Sequence, residues 1–232
     1  MSMLISNLPR LYSLQHCPYA MRARLGILLA QQSVFIRAVV TKNKPAEMLA
    51  ISPKGTVPIL ILNYAGSSEV QQQKAIIIDE SVDIMLWALG LNDPQNLLRA
   101  EDPSCLESML ELIKKNDKQF KPDLEVYKLA KRFHKESEVK DRQSCEGFMA
   151  ELENTLERSH YLMGDQASLA DYALLPFVRQ FSRVDRQWYL QSPYPQCRNW
   201  LNRLLQTPLY TKAMAKYPLW LDCHEAFLLG EG

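Results

Sequence analysis

The order of strand and helix signals along the chain is the feature that most limits its fold. Over residues 1–90, short β-branched runs alternate with runs whose apolar residues recur every three or four positions. After residue 103 the helical pattern continues, and we find no further strand signal. The sequence therefore predicts a βαβ-α-ββα domain followed by an all-helical domain. The expected strands are residues 10–14, 34–40, 57–62 and 75–78, and the expected helices of the first domain are residues 20–30, 44–50 and 80–89.

A change in composition marks the expected boundary between the two parts. Glycine, asparagine, aspartate and proline accumulate over residues 90–96 and again at residues 102–103, as is typical of a linker. We therefore predict a first domain at residues 1–90, a linker at 91–102 and a helical domain at 103–232. The polar stretch at residues 63–74 is expected to connect the two strands of a hairpin.

Charge and hydropathy exclude several classes of protein. The 27 basic residues nearly balance the 26 acidic ones, so no overall field favours nucleic acid or an anionic membrane. A hydrophobic fraction of 47% is enough for a sizeable core. No apolar run approaches the roughly 20 residues of a membrane-spanning helix, and the N-terminus does not resemble a signal sequence. These features predict a cytoplasmic protein.

The cysteines and histidines argue against a disulfide framework and against a metal site. The five cysteines are scattered, with no CxxC pair, and no two of the four histidines lie at ligand spacing. We expect a reducing environment and no bound metal. The cysteines are Cys17, Cys105, Cys145, Cys197 and Cys223.

Cys17 is the residue that we expect to carry the chemistry. Pro18 suits the first position of a helix, which would place Cys17 at the N-cap beside unpaired backbone N–H groups. An ordinary cysteine has a pKa near about 8.5, so a working thiolate needs further stabilisation from such donors or from a cation. Arg22 and Arg24 are the candidate cations. The alternative is a buried cysteine that merely lies near a turn.

Position 20 limits the chemistry that Cys17 can perform. Dithiol oxidoreductases carry a second cysteine three positions after the first, and here that residue is Ala20. A disulfide formed by Cys17 must therefore be resolved by an external thiol.

Two further segments are candidates for binding a peptide-like ligand. If the Val57-Pro58 bond is cis, the backbone of Val57 can pair with such a ligand as a free strand edge would; otherwise Pro58 simply begins a strand. Glu80 and Ser81 follow a strand and begin a helix, where donors can bind a carboxylate. Ordinary helix capping is the alternative there.

These segments together resemble a known family, the cytosolic glutathione S-transferases, with a thioredoxin-like first domain and a helical second domain. The Cys-Pro-aromatic-Ala start is similar to the cysteine-type omega class and to the larger bacterial glutaredoxins. The segments that carry the resemblance are Cys17-Pro-Tyr-Ala, Lys42-Asn-Lys-Pro45, Lys54-Gly-Thr-Val-Pro58, Asp79-Glu-Ser81 and, in the second half, Ser168-Leu-Ala-Asp171.

The resemblance implies glutathione as co-substrate and a set of residues that bind it. Val57, before Pro58, would hold the cysteinyl backbone, while Glu80 and Ser81 would hold the γ-glutamyl end. Lys44 would contact the tripeptide and Tyr19 would line the same site. The second substrate would be a small disulfide or electrophile, the active site would lie at the junction of the domains, and a homodimer is the usual assembly.

The function expected from this resemblance is that of a glutathione-dependent thiol transferase. Cys17 would form a mixed disulfide with glutathione and so support disulfide reduction or deglutathionylation. One alternative is conjugation of glutathione to small electrophiles, and another is a non-catalytic glutathione-binding protein. Tyr12 and Ser13 offer hydroxyls for conjugation, but we expect Tyr12 to be a packing residue because Cys17 occupies the nucleophile position.

Overall fold

A computed structural model describes residues 8–62 and 76–230. The first part of the chain forms β1 (Arg10–Ser13), α1 (Pro18–Leu29), β2 (Phe35–Ala38), α2 (Ala46–Ile51), β3 (Ile59–Leu62), β4 (Ile76–Ile78) and α3 (Ser81–Leu91). The remainder forms α4 (Pro103–Lys115), a π-helix (Asn116–Phe120), α5 (Lys121–Arg132), α6 (Glu138–Leu156), α7 (Leu169–Ser182), α8 (Arg186–Gln191), α9 (Pro195–Leu205), α10 (Pro208–Ala213), α11 (Trp220–Cys223) and β5 (Phe227–Leu228).

The described strands form one mixed sheet in the order β4-β3-β1-β2-β5. β1 and β2 are parallel, with Leu11 opposite Ile36, whereas β3 runs antiparallel to both β1 and β4. A parallel pair needs a crossover connection, which α1 provides. The central strands β1 and β3 are almost wholly buried, as expected for strands covered on both faces.

The predicted fold class is confirmed: a thioredoxin-like sheet with helices is followed by a helical region. The predicted hairpin is also present, because β3 pairs with β4. Its connection at residues 63–74 lies outside the described residues. Two details were wrong. A short strand, β5, forms near the C-terminus, and the helix predicted from residue 44 begins at Ala46, because Pro45 is its N-cap.

Helices α1 and α3 pack tightly against each other, and a glycine allows their close approach. A Cβ atom added to Gly26 of α1 would lie 2.7 Å from Met85 Cγ and 2.9 Å from Met85 Cα of α3. The backbone of α3 therefore leaves no room for a side chain at position 26. This contact holds the helix that begins at Cys17 in place.

The chain divides into two compact units, and the division differs from the predicted domain boundaries. One unit is formed by the chain up to Gln95 together with the segment from Pro208 onward, and the other is Asn96–Thr207. The predicted helical domain at 103–232 thus included a segment that belongs with the sheet. The physical reason is backbone pairing, since β5 adds an edge strand to β2.

Side chains also attach the C-terminal segment to the sheet unit. The Arg37 guanidinium lies 3.7 Å from the centroid of the Trp220 ring, a cation–π contact. The Trp220 indole N–H donates to the Glu47 carboxylate on α2. Trp220 therefore connects the last helix of the chain to both β2 and α2.

The second unit, Asn96–Thr207, has an aromatic core and a buried carboxylate. Phe120 stacks on Phe148 with ring centroids 4.8 Å apart, and Phe181 packs beside Phe120. Asp171 completes a capping box with Ser168 at the start of α7. Within the described residues, no helix is both long and apolar enough to cross a membrane.

Candidate functional site

The turn between β1 and α1 positions Cys17 as the sequence predicts. Cys17 is the N-cap of α1 and Pro18 is its first residue. The Cys17 N–H donates to the Leu14 carbonyl at 3.2 Å, and the Cys17 carbonyl accepts from the Met21 N–H at 2.9 Å. These two bonds hold the residue between the end of the strand and the first turn of the helix, with the side chain half-buried.

A cavity of about 280 Å³ opens beside Cys17. Four of the predicted site residues line it: Cys17, Tyr19, Lys44 and Val57. Seven further residues complete the lining, and they are Leu14, Val39, Val40, Thr41, Met48, Gly55 and Thr56. Most of them lie close in sequence to the predicted residues, either just after β2 or in the loop before Pro58. This closeness is the sequence signal that could have identified them.

The segment before β3 faces Cys17 across this cavity. The Val57-Pro58 peptide bond is cis, and the Cys17 thiol points toward the Val57 carbonyl with its Sγ 3.7 Å from the oxygen. Gly55 has a φ of +60°, and a Cβ atom there would lie 3.0 Å from Leu49 Cδ2. A glycine suits this position of the loop before Pro58, because residues with a side chain rarely adopt that conformation.

Glu80 and Ser81 do not line the cavity, and Glu80 belongs to a polar cluster with Lys54 and Asp79. The Lys54 ammonium lies 3.0 Å from Glu80 Oε1 and 3.4 Å from Asp79 Oδ2. Glu80 and Asp79 raise the pKa of the Lys54 ammonium. Ser52 donates to Asp79 at 3.2 Å. Both acidic residues are thus already paired with Lys54, a lysine that we did not predict to be part of the site.

The two candidate cations of α1 are both buried but contact different groups. Arg22 donates to the Ser81 hydroxyl at 3.3 Å and lies 5.7 Å from the Tyr19 ring centroid. Arg24 instead binds the turn before Cys17, where it donates to the Leu14 and Gln15 carbonyls. Arg24 therefore binds the segment that leads into the cysteine, whereas Arg22 binds the start of α3.

The hydroxyl groups of Tyr12 and Ser13 on β1 accept hydrogen bonds from arginines and do not face the Cys17 cavity. Tyr12 is fully buried and its hydroxyl accepts a 2.7 Å hydrogen bond from Arg37. Burial raises the pKa of the Tyr12 phenol. The Ser13 hydroxyl accepts from Arg24. Neither residue lines the Cys17 cavity, which agrees with Tyr12 being a packing residue.

A second cavity of about 490 Å³ lies next to the first and shares Leu14, Val39 and Val40 with it. Its other wall comes from residues 215–219 and 222 of the C-terminal segment. No sequence signal indicated this wall, because it depends on the return of the chain to β2. Among the described residues, no group of three or more histidine, cysteine or acidic side chains is arranged to hold a metal.

Two family models and one characterised protein are similar in sequence to this chain. The sequence model of the "Glutathione S-transferase, N-terminal domain" matches residues 11–95, and that of the "Glutathione S-transferase, C-terminal domain" matches residues 131–203. Pyrimidodiazepine synthase from Drosophila melanogaster is 28% identical over 211 residues, which cover 86% of this chain and 77% of that protein.

Solved structures show the same fold at low sequence identity. A glutathione transferase family member from Pseudomonas fluorescens Pf-5, with two glutathione bound, superposes with a TM-score of 0.75 at 15% identity, covering 90% of this chain and 92% of that one. Glutathione transferase Omega 2C from Trametes versicolor gives a TM-score of 0.74 at 19% identity, covering 90% and 94%. Since the two domain models together match more than half of the chain, it belongs to the glutathione S-transferase family.

Proposed function

We propose that this protein is a glutathione-dependent thiol transferase in which Cys17 is the nucleophile. The observation that carries the proposal is the position of Cys17: it caps the N-terminus of α1, lines a cavity and has alanine at position 20. Backbone N–H groups at a helix N-terminus favour a negative charge, as a reactive thiolate requires. Without a resolving cysteine at position 20, an external thiol completes the cycle.

The reaction that we propose has two exchange steps. The Cys17 thiolate attacks the glutathionyl sulfur of a mixed disulfide, so that a Cys17–glutathione disulfide forms and the other thiolate leaves and takes up a proton. A second glutathione thiolate then attacks the glutathionyl sulfur on Cys17, releasing glutathione disulfide and restoring the Cys17 thiolate. Over the two steps one disulfide bond is broken and one is formed. The substrate disulfide is reduced while glutathione is oxidised to glutathione disulfide, so the electrons balance.

The cavity and the adjoining polar cluster suit the parts of glutathione. The backbone of Val57, before the cis bond to Pro58, would pair with the cysteinyl residue of glutathione beside Cys17. Lys44 and Tyr19 would contact the tripeptide within the cavity. Glu80 and Ser81 would bind its γ-glutamyl end.

Two of the similar proteins support glutathione as the ligand. The Pseudomonas fluorescens protein was solved with two glutathione bound, and another solved glutathione S-transferase holds lactoylglutathione. The Drosophila relative is named as a synthase, which supports an enzyme rather than a binding protein. We also propose a reducing cytoplasmic environment, because the five cysteines are scattered along the chain without a CxxC pair.

Trapping the intermediate tests this proposal directly. After incubation of the whole protein with glutathione disulfide, peptide mass mapping is expected to show one glutathionyl group, on Cys17. Cys105 is the internal control, because it is also partly exposed and in the first turn of a helix but lines neither cavity. Equal modification of Cys105 and Cys17, or none of Cys17, would contradict the proposal.

Glu80→Gln is expected to weaken glutathione binding without slowing the chemical step. The substitution removes a carboxylate that would pair with the γ-glutamyl ammonium, a contact worth about 1–1.5 kcal/mol. The KM for glutathione should therefore rise about fivefold to tenfold, with kcat unchanged. Steady-state kinetics with glutathione as the varied substrate measure both.

Asp83→Asn is the matched control for this substitution. Asp83 is also acidic and exposed in the first turn of α3, but it lies outside the Lys54 cluster. Its replacement should leave the KM for glutathione unchanged. An equal rise in KM for both variants would mean that only the general charge of the helix matters.

A further inference from the structure

The guanidinium group of Arg24, on α1, is buried and makes several hydrogen bonds. Arg24 is only 1% exposed. Its Nε donates to the Ala213 carbonyl at 2.6 Å, and its Nη2 donates to the Gln15 carbonyl at 2.6 Å. Its Nη1 donates to the Leu14 carbonyl at 3.2 Å and to the Ser13 hydroxyl. One side chain thus binds three consecutive residues that precede Cys17, namely the last residue of β1 and the two residues that follow it.

None of the acceptors of Arg24 within the described residues is a carboxylate. They are three carbonyl oxygens and one hydroxyl, which accept four hydrogen bonds from the guanidinium but carry no negative charge. Burial lowers the pKa of the guanidinium to about 10, so it remains charged at neutral pH. A buried cation with only neutral partners favours an anion nearby.

The helix geometry directs this cation toward Cys17. Arg24 is seven residues after Cys17, nearly two full turns, and so lies on the same face of α1. Side chains on a helix lean toward its N-terminus, which brings the guanidinium to the preceding turn. Arg22, five residues after Cys17, lies about 140° away around the axis and contacts Ser81 instead.

A shared acceptor connects the two residues. The Leu14 carbonyl accepts from Arg24 Nη1 and from the Cys17 N–H, each at 3.2 Å. A charge on Cys17 also opposes the effect of burial on the pKa of Arg24. The other titratable groups around the pair come from several elements. They are Tyr19 and Lys44 in the Cys17 cavity, His16 beside the cysteine, Tyr210 and Tyr217 beside the guanidinium, and Lys216 and Asp222 in the second cavity, which Arg24 also lines.

We infer that Arg24 is a positioning residue for Cys17, whose buried cation stabilises negative charge on the sulfur while its hydrogen bonds hold the turn that presents it. This inference rests on the proposed function, because it assigns a role in the reactivity of the same cysteine. It separates the two cations of α1: Arg24 acts on the nucleophile, whereas Arg22 supports Ser81.

Alkylation of Cys17 at two pH values tests the electrostatic part of this role. The rate of reaction of the Cys17 peptide with iodoacetamide is followed by mass spectrometry at about pH 7.5 and about pH 9.5, on either side of the ordinary cysteine pKa. Arg24→Gln removes the charge and is expected to slow alkylation about fivefold to tenfold at the lower pH, with little change at the higher pH. The Cys105 peptide provides an unaffected rate in the same sample.

Two further variants separate charge from structure. Arg24→Lys keeps a cation but loses the fork of donors, and it should retain most of the rate at about pH 7.5. Ser13→Ala removes one acceptor and keeps the cation. The ratio of the alkylation rate at the lower pH to that at the higher pH should therefore stay as in the unaltered protein. If Arg24→Gln does not fold, a large loss of this ratio in Arg24→Lys or Ser13→Ala still overturns the inference.

The remaining outcomes distinguish this inference from the proposed function. If Arg24→Gln leaves the ratio of rates unchanged while glutathione disulfide still modifies Cys17, the role of Arg24 is wrong and the proposed function stands. If the ratio falls as expected but glutathione disulfide does not modify Cys17, the inference holds and the proposed function fails.

Discussion

Cys17→Ser is expected to reduce the rate of glutathione-dependent disulfide reduction by at least about 1000-fold. A serine hydroxyl stays protonated at neutral pH and cannot form a disulfide, so the first exchange step has no nucleophile. The expected loss is in kcat, because the cavity that would bind glutathione is unchanged. Reduction of a small disulfide such as hydroxyethyl disulfide, coupled to glutathione reductase, measures the rate.

Cys105→Ser and an electrophilic substrate complete this experiment. Cys105 lies in the other compact unit, and its replacement should leave disulfide reduction near the rate of the unaltered protein. With an aryl halide, glutathione itself is the nucleophile, so conjugation by Cys17→Ser would be retained or increased if conjugation were the main activity. Retained disulfide reduction in Cys17→Ser would contradict a role for Cys17 as the nucleophile.

Asp171→Ala is expected to destabilise the second unit by at least about 3 kcal/mol. The Asp171 carboxylate is fully buried and accepts four hydrogen bonds, from Leu162 N at 3.0 Å, Ser168 N at 2.8 Å, Ser168 Oγ at 2.7 Å and Trp200 Nε1 at 2.8 Å. Burial raises the pKa of this carboxyl, and the hydrogen bonds oppose the shift. When the carboxylate is removed, three buried N–H donors lose their acceptor, and each unsatisfied donor costs about 1–3 kcal/mol of stability.

Asp171→Asn refines the prediction. The carboxamide keeps one acceptor oxygen but places an NH₂ group against other donors, so a loss of about 2 kcal/mol or more is expected. Asp165→Ala is the matched control, since Asp165 is an exposed acid of the same unit paired with His160, and it should cost less than about 1 kcal/mol. Urea unfolding monitored by circular dichroism gives the free energies, and similar losses for Asp165→Ala and Asp171→Ala would contradict this account.

The elements around Cys17 were predictable because their signals are local. Strand residues, then Cys17-Pro18, then apolar residues at helical spacing specify a strand, an N-cap and a helix within one short segment. The β3–β4 hairpin was predictable for the same reason, since both strands are continuous apolar runs. Local sequence therefore placed Cys17 at the N-cap of a helix and Pro58 directly before a strand.

The C-terminal segment could not be placed from its sequence. Phe227 and Leu228 form too short a run to indicate a strand, and they become one only because β2 has an unpaired edge. Trp220 gives no sign in the sequence of its contacts with Arg37 and Glu47. These pairings join positions far apart in the chain, and composition and periodicity carry no information about them.

What the sequence by itself determined is the fold class, the position of Cys17 at a helix N-terminus and the lack of a second cysteine at position 20. Only the tertiary structure decided which residues share the cavity with Cys17, that Glu80 pairs with Lys54 while Ser81 binds Arg22, and that Arg24 contacts the turn. The physical reason is that capping and periodicity act over a few residues, whereas a cavity and a buried charge are defined by groups that meet only when the sheet and helices pack together.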